Sequence, residues 1–180
     1  MVDITKNFFE LFQLPVSCEV DYQVLAQRYR ELQKTVHPDR FAGDSERQQR
    51  LSVQYAAYVN EAYDTLKKIL PRDIYLLKLA GRQVEMERNT IMEPAFLMEQ
   101  MELREAVAEL KQQSNPEAEL DRLINRVDQG LAAFQKQFQM LWEASDGSSL
   151  DQAEAVVRKM QFMVKLASEL EQLESELLDD

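Results

Sequence analysis

The residues best suited to chemistry in this chain are His37, Pro38 and Asp39, an imidazole joined through a proline to a carboxylate. His37 is the only histidine and Cys18 the only cysteine, so an intramolecular disulfide and the usual cysteine- and histidine-rich metal sites are excluded. The carboxylates are mostly spread along helices as solvated faces, which offers hydrolysis no paired acid and base. A phosphate-accepting histidine should sit within a helix on a basic face, and Pro38 argues against that placement. Proline cannot continue a helix, and it pushes the residue before it toward extended backbone. His37 is therefore expected at a helix end, with its ring and the Asp39 carboxylate in a solvent-facing loop. Such a tip suits recognition better than reaction.

Two amphipathic helices must position the tip. Before it, Asp21 can cap a helix whose Leu25, Tyr29, Leu32 and Val36 recur at spacings of four, three and four, on one face. Gln27, Arg28, Glu31 and Lys34 take the opposite side, flanked by Arg30. After the loop, Ser45-Glu46-Arg47-Gln48 is a capping box, followed by an apolar stripe from Leu51 through Tyr55, Tyr58, Val59 and Ala62 to Leu66. Two apolar faces joined by a short polar loop predict an antiparallel helical hairpin.

These residues resemble the J domain, the module that stimulates the ATPase of DnaK-type chaperones. The resemblance rests on Phe8-Phe9-Glu10-Leu11-Phe12-Gln13-Leu14-Pro15, Tyr29-Arg30-Glu31-Leu32, His37-Pro38-Asp39-Arg40-Phe41 and Asn60-Glu61-Ala62-Tyr63-Asp64-Thr65-Leu66, in order and register. It implies that His37, Pro38 and Asp39 contact the chaperone, supported by the basic residues Arg28, Arg30 and Lys34. Glu31 departs from the more uniformly basic face common in that family.

Charge divides the chain. Residues 1–80 carry 11 basic and 11 acidic side chains, and residues 81–180 carry 10 and 21, so the whole net charge of −11 lies in the second part. A surface so acidic repels polyanions, which argues against nucleic acid as a partner. No apolar run approaches the ~20 residues that span a bilayer, and the first residues lack the order of a signal peptide. A cytoplasmic bacterial protein without a membrane partner is the expectation.

Pro71 to Ala80 predicts a short helix stopped by Gly81. The domains expected are 1–80, a connection over 81–93, and a three-helix antiparallel bundle over 94–180, giving an all-α chain. Within the bundle, Glu93-Pro94 opens a helix to about Gln113, and Asn115-Pro116-Glu117 starts another to about Glu143. Ser149 with Gln152 is expected to cap a third helix, which reaches about Leu178. The middle helix has one stripe, Leu120, Leu123, Val127, Leu131, Phe134, Phe138 and Leu141. Gly130 has no reason visible in the sequence.

Its neighbours carry a surplus. Phe96, Leu103, Val107 and Leu110 share one face, whereas Leu97, Met98, Met101 and Glu105 fall roughly 100–200° away, with Glu102 beside them. In the last helix, Ala153, Val157, Met160, Val164 and Ala167 are expected to line one face, with Phe162 and Leu166 pointing elsewhere. Either this surplus is buried in a wider core or against the first domain, or it forms an exposed methionine-rich patch for a partner.

Ala95 to Glu105, together with Val157-Arg158-Lys159-Met160-Gln161-Phe162, resembles the C-terminal domain of the HscB family, J-domain co-chaperones of iron–sulfur cluster assembly. That resemblance implies that Leu97, Met98, Met101, Glu102, Glu105 and Phe162 bind the scaffold protein IscU, and that the J domain serves the DnaK-type chaperone HscA. It also implies no enzyme activity and no cofactor on this chain. The alternative is a J-domain co-chaperone with a different client. A purely structural bundle, in which His37 merely ends a helix, would be the default without the flanking register.

Overall fold

The computed structural model describes residues 3–84 and 93–179, and within them all regular structure is helical. The chain divides into two compact units, Met1–Gly81 and Arg82–Asp180.

In the first unit, α1 (Phe8–Leu11), α2 (Tyr22–Val36), α3 (Glu46–Leu66) and α4 (Ile69–Leu79) follow in order, with a 3₁₀ turn (Pro38–Phe41) between α2 and α3. The local signals place the ends. Asp21 accepts from the backbone N–H groups of Gln23 and Val24 at 3.0 and 3.1 Å, and Ser45 with Gln48 closes a capping box. Each satisfies donors that a helix start leaves open. Gly81 adopts φ 79° directly after α4, a left-handed conformation that only glycine reaches without steric cost.

α2 and α3 run antiparallel. Near one end Tyr29 stacks on Tyr63, with ring centroids 3.9 Å apart, and donates to Asn60 at 2.9 Å. Near the other end Leu32, Thr35 and Val36 of α2 line a cleft together with Leu51, Ser52 and Tyr55 of α3. The core is Phe9, Phe12, Leu25, Val59, Ala62, Leu66, Leu76 and Leu77, all fully buried. Each of these except Ala62 contributes roughly 1.5–3 kcal/mol by leaving water. Tyr75 ties α4 to α1: its ring stacks on Phe8 at 4.4 Å and its phenol oxygen accepts the Phe8 N–H at 3.0 Å. Burial raises the pKa of that phenol.

The second unit is built from α5 (Pro94–Glu109, extended by a 3₁₀ turn over Leu110–Gln112), α6 (Pro116–Ala144) and α7 (Gly147–Asp179). The expected connection falls largely on residues outside the described ones. Its second residue, Arg82, is fastened to the start of α7 through Asp151, through Glu154 at 3.5 Å and through the Gly147 carbonyl at 3.1 Å. Asn115 caps α6 by accepting from Ala118 N–H at 3.2 Å, with Pro116 as its first residue. α7 is capped differently from the expectation. Asp146 accepts both the Ser149 N–H (2.9 Å) and the Ser149 hydroxyl (2.7 Å), so the helix opens earlier and Ser149 is a donor, not the cap. Those two bonds hold the Asp146 carboxyl below its usual pKa.

α6 and α7 are the intimate pair, and here Gly130 finds its reason. A Cβ at this position would lie 2.4 Å from the Met163 terminal methyl carbon, so the missing side chain makes room for a buried one. α5 runs alongside α7 in constant register, through Lys159 to Glu93 (3.3 Å), Phe162 to Phe96, Arg104 to Glu169, and Lys111 to Glu176 (3.0 Å).

The buried stripe of α7 departs from the sequence reading. Val156, Val157, Met160, Met163, Leu166 and Leu170 are buried, so Leu166 belongs to the core and Val164 is exposed. A stripe that steps by threes and fours averages nearer 3.5 than 3.6 residues, so it drifts around a straight helix by ~20° per heptad. Between Ala153 and Leu166 that drift is only ~40°, and the rest comes from α7 packing against both α5 and α6, which widens its buried stripe to take in Leu166. The acidic end of α7 is likewise packed: Leu173 and Leu177 pack against this core.

Candidate functional site

The tip is assembled almost wholly from neighbours in sequence. Pro38 holds His37 at φ −58°, ψ 128°, so α2 stops and the imidazole turns outward. The His37 Nδ1 accepts the Asp39 N–H at 3.3 Å. The Asp39 carboxylate lies 3.6 Å from the same nitrogen, and the two side chains are 59% and 91% exposed. The His37 carbonyl accepts the Arg40 N–H at 3.0 Å. The Arg40 guanidinium donates back to the Lys34 carbonyl at 2.9 Å, one of the carbonyls that the end of α2 leaves open. From α3, the Gln49 side-chain amide donates to the carbonyls of Ala42 (3.2 Å) and Asp44 (3.0 Å).

The sequence reading named Arg40 only within the motif, with no role, and did not name Gln49. A cation just past a helix C-terminus was a usable signal for Arg40. Gln49 had none, since its role depends on where the loop returns.

The three basic residues named beside the tip do not share one situation. Arg30 and Lys34 are exposed one turn apart on α2. Arg28 instead donates to the carbonyls of Phe12 and Gln13, closing the end of α1 where Gln13 takes φ 53°. Glu31 accepts from Gln27 at 3.1 Å.

On the second unit, α5 turns Phe96, Leu103, Val107 and Leu110 into a closed core and leaves Leu97, Met98 and Met101 outside, 44%, 64% and 72% exposed. Phe96 anchors the helix. Its ring meets Phe134 of α6 and Phe162 of α7 edge to face, each at 5.9 Å. Phe162 is half-buried, with the Arg104 guanidinium 5.4 Å over its ring. Arg104 lies on the same side of α5 as Leu97 and Met101, so Phe162 borders their edge of the patch. Glu105 is exposed. Glu102 is engaged within the unit: Arg126 of α6 reaches it at 3.4 Å and Glu99 at 3.8 Å.

The exposed apolar residues of α5 are flanked by the carboxylates of Glu102 and Glu105. No helix among the described residues is long and apolar enough to cross a membrane.

Residues 92–171 match the family model described as the HSCB C-terminal oligomerisation domain. A Co-chaperone protein HscB homolog of Shewanella oneidensis is 44% identical over 177 residues, covering 96% of this chain and 99% of the relative. One from Shewanella baltica is 40% identical over 173 residues with the same coverage. Among solved structures, chaperone HscB from Vibrio cholerae superposes with TM-score 0.86 at 40% identity, over 96% of this chain and 99% of that one. Human co-chaperone protein HscB gives the same score at 28% identity, over 96% and 84%. With nearly full-length relatives and two helical units of matching fold, the chain belongs to the HscB family of co-chaperones.

Proposed function

We propose that this co-chaperone works as an adaptor with two separable faces, one for the DnaK-type chaperone HscA and one for the iron–sulfur scaffold protein IscU. Leu97, Met98 and Met101, with Phe162 at their edge and Glu105 beside them, receive the scaffold. The His37-Pro38-Asp39 tip, with Arg30 and Lys34 on the adjoining turn of α2, docks on the chaperone. Arg28 acts indirectly, by holding α1 against α2. Glu102 contributes to scaffold binding only by exchanging Arg126 for a partner.

No bond is made or broken on this chain. The tip favours the hydrolysis-competent state of the chaperone by binding it better than the alternative state. Holding the scaffold on the same molecule raises its effective concentration beside the chaperone's client site. The observation that carries this reading is that α5 completes its core and still keeps three large apolar side chains in water.

The test is the ATPase rate of HscA with this chain, with IscU, and with both. Stimulation should be largest with both. His37→Gln should remove it while leaving IscU bound, and no stimulation by the unaltered chain would overturn the reading.

A further inference from the structure

We propose that Met98 and Met101 form a reversible oxidation site, at which conversion of the thioethers to sulfoxides by a hydroperoxide releases the scaffold protein. The inference rests on the reading of α5 as the scaffold-binding face and adds a means of regulating that face.

Accessibility separates these residues from the buried methionines, and their place on α5 separates them from Met140. Of the five methionines among the described residues, Met160 and Met163 are 1% exposed inside the α6–α7 core, whereas Met98 and Met101 are 64% and 72% exposed. Met140 on α6, at 73%, is just as open but is not among the residues of the proposed scaffold face. A peroxide can therefore reach the anchors without disturbing the core.

The step is a two-electron oxygen transfer. The thioether sulfur attacks one peroxide oxygen, the O–O bond breaks and an S–O bond forms. The other oxygen departs with the electron pair and takes a proton, giving water or an alcohol. Sulfur is oxidised, the peroxide is reduced, and no charge is left on the side chain.

What changes is the surface. Three residues apart on one helix, the two sulfurs share a face, so both sulfoxide dipoles would lie under the same partner. Each oxygen is a strong acceptor set beside Glu99, Glu102 and Glu105, and an apolar partner offers it no donor. A polar atom buried without a partner costs enough to weaken binding roughly tenfold or more. Methionine sulfoxide reductases, which act on accessible sulfoxides, would restore the patch.

The experiment treats the full-length chain with hydrogen peroxide, maps the sulfoxides by peptide mass, and measures IscU affinity before treatment, after it, and after a sulfoxide reductase. Met98 and Met101 should oxidise ahead of Met160 and Met163, affinity should fall roughly tenfold or more, and the reductase should recover it. M98L/M101L, measured against its own untreated affinity, should lose none of it to peroxide, while M140L should lose affinity as the unaltered chain does. Unchanged affinity with both sulfoxides present overturns the inference, as does an equal loss in M98L/M101L. If the untreated chain fails to bind IscU, the reading of the face falls first and the inference with it.

Discussion

The tip and the α5 patch are held in place by opposite means. At the tip the determinants are local: a proline ring, a two-residue contact between His37 and Asp39, and an arginine reaching six residues back to Lys34. At the patch they are distant, because Leu97, Met98 and Met101 face water only while Phe96 stays locked between Phe134 and Phe162 from two other helices. A locally built surface can be altered without unfolding anything. A surface defined by what its core leaves over fails when that core fails.

The largest effect should come from Asp39→Asn, which is expected to abolish chaperone stimulation while thermal unfolding stays within about 0.5 kcal/mol, since the side chain is almost wholly exposed. An unfolding shift well beyond that would make the tip part of the fold and erase the contrast. Next, Phe96→Ala should destabilise the second unit by ~3–5 kcal/mol and weaken scaffold binding through loss of α5. Met98→Ala and Met101→Ala should each weaken binding by ~1–2 kcal/mol with unfolding unchanged. Calorimetric titration beside thermal melts separates the two kinds of loss.

Arg28→Ala sharpens the comparison within the first unit. Losing its bonds to two carbonyls should cost about 1–2 kcal/mol of stability, whereas Lys34→Ala should leave stability alone and reduce the salt dependence of chaperone docking.

The smallest effect concerns the end of α7. The hydrogen bond from Lys111, and then its charge, lower the pKa of Glu176 below the ordinary glutamate value. A lowered folded pKa gives stability that is present above the unfolded value and lost as pH falls through the folded one. The protection of amides in the last turns of α7, relative to their intrinsic exchange at each pH, should therefore fall below about pH 4, and Lys111→Met should blunt that change. An identical acid response in the variant would remove the pair from the account.

Much of the fold was legible because its signals are local. Asp21, Ser45 and Asn115 cap the helices they were expected to cap, since a side-chain oxygen three residues from a free N–H needs no tertiary help. Ser149 misled because Asp146, an equally good acceptor, stands three residues earlier and takes its hydroxyl. Leu166 and Val164 were exchanged because one narrow stripe cannot represent a helix that packs against both α5 and α6 and whose stripe drifts along its length.

The sequence by itself determined where α2, α3, α5 and α6 start, where the apolar stripe of α6 lies, and that the only imidazole must stand outside a helix beside a carboxylate. These follow from backbone chemistry and periodicity, which act over a few residues. The tertiary structure alone decided that Arg28 closes α1, that Arg126 occupies Glu102, and that Gly130 makes room for Met163. Each depends on a partner far away in the chain, and no spacing within a single helix specifies which distant side chain will arrive there.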